Sequence, residues 1–232
     1  MGYAMRHIIG GIVCMWLTAC AGTYQVEGAS AVSQVDGKML FVKVLRDTDW
    51  VVIDSMEVIH GLFHAKGECE TSMLASLYMD DEPLLPFIVE EGKIAITLNT
   101  TGSSVKGTPL NDTLYAFISR KTSLEDSAYD INHHESQLIM DGTPMEQVEH
   151  IIGKERQQLA AEMNLMAKQF IQDNYDNILG AGVFIMLCNS FPYPVMNPLI
   201  EEIIEQATPT FRAHPLVQDY IRRAGEYERK SH

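Results

Sequence analysis

Cysteine is scarce in this sequence. Four occur in 232 residues, at positions 14, 20, 69 and 188, and no two form a C-x-x-C pair. A thioredoxin-type redox centre therefore cannot be built from these residues. Basic residues are in the minority, 17 Lys and Arg against 31 Asp and Glu, for a formal net charge of −14. So acidic a chain has no net field with which to gather nucleic acid or anionic lipid headgroups. Long apolar runs are missing too. The longest mostly apolar stretch, IIGGIVCMWLTA at residues 8–19, would cover roughly 18 Å as a helix, well short of a bilayer core of roughly 30 Å. No glycine-rich phosphate loop, no G-x-S-x-G elbow and no H-E-x-x-H pair occurs. The sequence has no internal repeat and no low-complexity linker.

What is present begins at the N-terminus. MGYAMRH carries Arg6, the short apolar stretch follows, and small residues lead into Cys20. A basic start, a brief apolar run and a small-residue break describe an export signal. Leu17-Thr18-Ala19-Cys20 resembles a bacterial lipobox, whose cysteine is acylated and becomes the mature N-terminus. Cys20 is thus the predicted lipidation site, and two or more acyl chains hold a protein stably on a bilayer. Ala21-Gly22-Thr23-Tyr24 carries neither an Asp retention signal nor an acidic run. That predicts an outer-membrane anchor facing the periplasm, with surface display the alternative. Loss of residues 1–19 from 232 leaves 213, enough for one large domain or two small ones.

Beyond a tether at 20–23, residues 24–107 read as strands. Segments 38–46, 50–58, 61–67, 72–79, 86–91 and 93–98 are short and rich in β-branched and aromatic residues. Turn residues separate them: Asp36-Gly37, Arg46 to Asp49, His60-Gly61, Asp80 to Pro83, and Glu91-Gly92. This punctuation predicts an antiparallel β-sandwich or barrel-like sheet. From residue 108 to 232 the period becomes helical. Thr108-Pro109 reads as a capped helix start, and Thr143-Pro144-Met145-Glu146 has the form of a capping box. Behind the box, Met145, Val148, Ile152, Leu159, Met163, Met166 and Phe170 predict a buried stripe on a helix reaching about Asn174. Further helices are predicted at 177–188, 198–206 and 215–227. The fold class is α+β, a β domain followed by a helical region.

The stretch IDSMEVIHGLFHAKG, residues 53–67, packs an Asp, a Ser, a Glu and two His into fifteen positions. It reads as a hairpin turning at His60-Gly61, where positive φ is tolerated. Val52 and Met56 are expected on one face, Ile53 and Ser55 on the other, with Phe63 and Ala65 inward. Asp54 and Ser55, neighbours on a strand, point to opposite faces and cannot both serve His64. His60 and His64 are too far apart along the strand to share one zinc ion. His133-His134-Glu135 reads as a loop between helices. Asp80-Asp81-Glu82 lacks the ligand alternation of a calcium loop, and Glu149-His150 and Glu201-Glu202 read as exposed helix faces. Cys69 and Cys188 read as two buried thiols, with a bridge the alternative. No catalytic residue, cofactor or metal ligand is specified.

Several of these residues resemble a known family. Ile53-Asp54-Ser55 with Gly61-x-Phe63, Phe87-Ile88-Val89-Glu90 with Gly92-x-Ile94, then Val105-x-Gly107 and Asn111 are similar to the domain of unknown function number 4369, over about residues 24–130. That domain precedes thioredoxin-like domains in Bacteroidota lipoproteins. Asp173 to Gly180, Thr208-Pro209 and a helix over 215–227 resemble the bridge those proteins carry. The resemblance implies a continuation into a W-C-x-x-C domain, whereas this sequence ends at His232, so no thiol chemistry transfers to any residue here. Asp54-Ser55-Met56, Asp112-Thr113-Leu114 and Asp126-Ser127-Ala128 are similar to the O-glycosylation acceptor pattern of Bacteroidota. If Ser55 is buried, the last two are the expected acceptors.

Three functional expectations follow. The first is a lipid-anchored, non-catalytic module that binds a protein or small ligand, with the membrane held through Cys20 and no nucleic acid. The second is an accessory partner of a separate thiol-disulfide oxidoreductase. The third, a hydrolase or metalloenzyme, would require a pocket gathering His64, His133 or His134 with carboxylates.

Overall fold

The computed structural model describes residues 22–46 and 49–231, so Cys20 lies outside the described residues, as do Asp47 and Thr48 of the expected turn. Eight strands come first: β1 (Gly22–Ser30), β2 (Met39–Arg46), β3 (Asp49–Glu57), β4 (Leu62–Cys69), β5 (Met73–Met79), β6 (Glu82–Val89), β7 (Gly92–Leu98) and β8 (Ser104–Lys106). Six helices follow: α1 (Pro109–Met140), α2 (Met145–Asp173), α3 (Ile178–Cys188), α4 (Pro198–Glu205), α5 (Pro209–Ala213) and α6 (Pro215–Ser231). None of the described helices is long and apolar enough to cross a membrane.

The strands form two four-stranded sheets, ordered β4-β1-β7-β8 and β3-β2-β5-β6. Their inner faces share one core: Val26, Ile94 and Ile96 from the first, Val42, Leu77 and Phe87 from the second. Each such side chain contributes roughly 1.5–3 kcal/mol by leaving water. In the first sheet, two aromatic rings lie across glycines on the neighbouring strand. A Cβ on Gly28 would meet the Phe63 ring at 1.9 Å, and one on Gly67 would meet Tyr24 at 2.6 Å. Tyr24 also ties the two sheets, its hydroxyl donating to Asp54 Oδ2 at 3.1 Å.

The sandwich differs from expectation in several respects. First, β1 and β8 complete the first sheet, and β1 pairs parallel with β7 (Val26 opposite Ile94) while pairing antiparallel with β4. Gly22 and Thr23, expected in the tether, belong to β1. Second, β6 starts at Glu82, not residue 86, and so includes Pro83 and Pro86. An edge strand tolerates residues that cannot donate to the ladder, and β6 is an edge. Third, the turn at His60-Gly61 forms as expected, with φ of 53° and 74°, but it does not close a hairpin ladder. Only Ile59 and Leu62 pair across it, and β3 and β4 then part into different sheets. A register shift in β3 sets Val42 opposite Asp54 and Lys43 opposite Val52. That bulge at Ile53 puts Val52 and Met56 on opposite faces, contrary to strict alternation.

The helices pack on the outer face of the second sheet. Ile88, pointing out of β6, belongs to the helical core with Leu114, Phe184, Phe211 and Tyr220, and Leu74 of β5 packs against them. This makes three layers, sheet on sheet on helices. α3 is apolar on every side, from Ile178 to Cys188, and it is the central helix of this layer. A buried polar knot fastens the layers. Asn111 of α1, fully buried, accepts from Ile88 N at 2.9 Å and donates to Ile88 O at 2.7 Å. Beside it, Glu90 Oε1 accepts from the backbone N–H groups of Leu110 and Asn111, each at 3.0 Å, and so caps α1. Thr108 occupies the N-cap position without capping the backbone; its hydroxyl accepts from Asn111 Nδ2 at 2.9 Å.

α1 and α2 form a long antiparallel arm. α1 runs for 32 residues, because no Gly or Pro follows Pro109 until Gly142. His133, His134 and Glu135 are therefore within a helix, not on a loop. They serve the pairing: His134 Nδ1 lies 3.2 Å from Glu155, and Arg156 donates to Glu135 at 2.6 Å and to Asn132 at 3.0 Å. The capping box at Thr143 does not form. Pro144 is the N-cap of α2, with no N–H for a partner to satisfy, and no side chain caps it. The expected stripe on α2 is buried only in part: Val148 and Ile152 are buried, while Met145 is 54 % exposed.

Candidate functional site

Because the helices cover β5 and β6 and leave much of β2 and β3 open, a step runs along the outer face of the second sheet. Three adjoining cavities follow it. The first, about 230 Å³, lies between the start of β5 and the helices, with Ser72, Asp176, Asn177, Phe211 and His214 on its walls. The second, about 160 Å³, shares Ser72, Ile178 and His214 with the first and adds Leu45, Leu74 and Leu216. The third, about 410 Å³, shares Leu45 and Leu216 with the second and adds Trp50, Ile185, Asn189, Asp219 and Arg223. Together they make a trough with one wall from the sheet and the other from α3, α5 and α6.

Each wall has a local cause. On the sheet side, Leu45 pairs with Trp50 across β2 and β3, so both side chains share the outer face. Trp50 stands 42 % exposed, its ring 6.0 Å from that of Tyr78, whose face is covered by Lys43 Nζ at 4.0 Å. On the helical side, Asn177 caps α3, its Oδ1 accepting from Leu179 N at 2.8 Å. Thr208 caps α5 and donates to Asp176 Oδ1 at 3.1 Å. His214 precedes α6, and its Nδ1 accepts from Leu216 N at 3.3 Å. That bond requires Nδ1 unprotonated, and partial burial likewise pulls the imidazole below its ordinary value of 6.5. Asp219 is held by both neighbouring arginines, with Arg223 Nε at 2.8 Å from Oδ2.

A separate opening of about 210 Å³ between α1, α2 and α3 is mostly apolar, walled by Phe117, Met163, Met166, Val183 and Met186 with Lys121, Asn164 and Ser190 among its lining. At the tip of the arm, Glu149 and His150 border a concavity formed by a single turn of α2.

None of the sequence candidates lines the trough. His60 and His64 are exposed at the turn and on β4, and His133 is exposed on α1. Asp54 and Ser55 diverge as expected, Asp54 toward Tyr24 and Ser55 to solvent. Ser55 is therefore not a buried residue, and it stands as open as Thr113. Asp80 takes φ of 54° in the turn before β6. Among the described residues no three His, Cys, Asp or Glu side chains group in a way that could hold a metal ion. Cys69 and Cys188 are buried and unbridged, and burial pushes the Cys188 thiol up to about 12. The trough residues were passed over because they come from six separate elements. One local signal did exist at Arg223, a charged side chain directly before Ala224 of the helical core.

Residues 24–114 match the model of a family described as a domain of unknown function (DUF4369), a shorter span than the 24–130 expected. The match takes in the whole sandwich except the first residues of β1, and it ends in the first turns of α1 with the Asn111 knot. No curated protein matches the chain.

Proposed function

We propose that the protein is a lipid-anchored, non-catalytic binding module of the cell envelope, with the trough as its ligand site. The observation that carries this reading is the trough itself. Apolar patches from Leu45, Ile185 and Leu216 alternate there with the polar ends of His214, Asn189 and Arg223. A concave, mostly apolar surface with a few placed polar groups is the usual form of a ligand site. Attachment through Cys20 rests on the lipobox resemblance, with β1 beginning at Gly22, two residues further on.

Two measurements test the reading. Full-length protein expressed in a bacterial host should be recovered with membranes and carry the added mass of acyl chains, and Cys20→Ala should release it. The same protein should retain a ligand or partner from native envelopes, reconstituted afterwards from purified components, in a way that Trp50→Ala or Leu216→Ala abolishes. A retained partner with a C-x-x-C centre would narrow the role to an accessory of a thiol-disulfide oxidoreductase. Retention unaffected by either trough substitution, or turnover of a substrate by the purified protein, would overturn the proposal.

A further inference from the structure

Hydrogen-bonding capacity left unused at the wide end of the trough indicates the chemistry of its ligand. Arg223 lies with its guanidinium 5.8 Å from the centre of the Tyr220 ring. Of its hydrogen-bond donors it uses only Nε, on Asp219, and its two terminal nitrogens take no hydrogen-bond partner among the described residues. The carboxylate of Asp219 is occupied in turn by Arg222 and Arg223. That buttress fixes the plane of the Arg223 fork, whose side chain remains 43 % exposed. Trp50 brings an indole N–H, a group that only donates, and Asn189 brings an amide; neither side chain makes a hydrogen bond to the described protein. Of the capacity left over, most is therefore donor. Below these groups the floor is apolar, from Leu45, Ile185 and Leu216.

Resting on the binding-module reading above, we infer that the Trp50–Arg223 end of the trough binds a carboxylate carried on an apolar body. An oriented guanidinium pairs a carboxylate through two parallel N–H···O bonds, geometry that an ammonium cannot reproduce. The Trp50 ring and the leucine–isoleucine floor take the apolar body, and about 410 Å³ is within the size range of small-ligand sites. Long-range attraction contributes nothing, since the chain carries a net charge of −14 and repels anions at a distance. Selectivity comes from contact with the fork. The carboxylate could belong to a free apolar acid or to the C-terminus of a peptide.

The test is calorimetric titration of the full-length protein with three probes: phenylbutyrate, acetyl-Leu-Phe with a free C-terminus, and the same dipeptide as its C-terminal amide. The free-acid dipeptide should bind at least about tenfold more tightly than its amide, the loss of one charge-assisted bidentate contact. Arg223→Gln should remove that difference, and Arg223→Lys should restore it only in part. Far-UV circular dichroism checks that each variant is folded, which is expected because Asp219 keeps Arg222 as a partner. Phenylbutyrate binding as well as the peptide acid assigns the site to free acids; peptide acid alone assigns it to chain termini. Equal binding of acid and amide, or no binding of any probe at millimolar concentration, overturns the inference. Trough-dependent retention of an envelope partner would then still stand, so the two failures are distinguishable.

Discussion

Asn111 does for β6 what a further strand would do. Its amide takes both the N–H and the C=O of Ile88, two groups that lie on an edge strand and would otherwise be buried unpaired between sheet and helices. Asn111→Ala leaves both unsatisfied, and each orphaned buried group costs about 1–3 kcal/mol. The expected loss is about 3 kcal/mol, read as a lower urea midpoint at unchanged m-value. A neutral result would mean that water enters the knot. His214 makes a prediction of opposite character, visible only in acid. Its folded-state pKa is pulled below 6.5 by burial, so between that lowered value and 6.5 the unfolded chain binds more protons than the folded one. Above 6.5 both states are neutral and nothing is lost. As the pH falls through that window stability declines, and it levels off below the folded value. His214→Asn keeps an acceptor for Leu216 N without a titrating ring. Urea midpoints measured at about pH 8 and about pH 5 should therefore differ less in this variant than in the parent.

At the scale of elements, the arm shows which features of the sequence carried structural information. Helical spacing placed α2 within a residue or two of its ends, and Thr108-Pro109 marked the start of α1. The polar cluster at residues 132–135 concealed the length of α1, since Asn, His and Glu side chains resemble a loop when their partners on α2 are not in view. Burial along α2 was overestimated for a related reason. A stripe of apolar residues at helical spacing states which face turns inward, not how much lies opposite it: Val148 and Ile152 are buried, Leu159, Met163, Met166 and Phe170 are half-buried, and Met145 at the tip is exposed. The strands were legible where alternation held and illegible at Ile53, where one extra residue reverses every side chain on one side of it. The separation of β3 from β4 was hidden as well, because a turn with positive φ at His60-Gly61 suits a hairpin and a sheet-to-sheet crossover alike. The arm makes its own prediction. Ile152, 1 % exposed, should cost about 2–5 kcal/mol on truncation to Ala. Met145, seven residues earlier on the same stripe and 54 % exposed, should stay within about 0.5 kcal/mol. Equal losses from the two would mean that the arm tip is covered in solution.

Across the whole molecule, the outward face of β6 decides whether sandwich and helices are one folding unit or two. Ile88 is counted in the helical core although it belongs to the sheet, and Tyr115 of α1 donates to Pro86 O at 3.0 Å. The helix α1 is capped by Glu90, which lies just past the end of β6. Unfolding the helices alone would strand Ile88 and Leu74 in water and leave the Ile88 backbone without partners. Unfolding the sandwich alone would uncap α1 and strip one side from α3. Either partial state loses apolar burial and hydrogen bonds together, so the described layers should melt in a single transition. Two probes separate the layers. Far-UV ellipticity follows the helices, while the fluorescence of Trp50, the one tryptophan among the described residues, follows the sheet where it faces α3 and α6. In urea the two curves should superimpose, and Ile88→Asp should move both midpoints down together. A fluorescence change that precedes the loss of ellipticity would mean that the trough opens before the helices unfold, making the junction a hinge between two independently stable bodies.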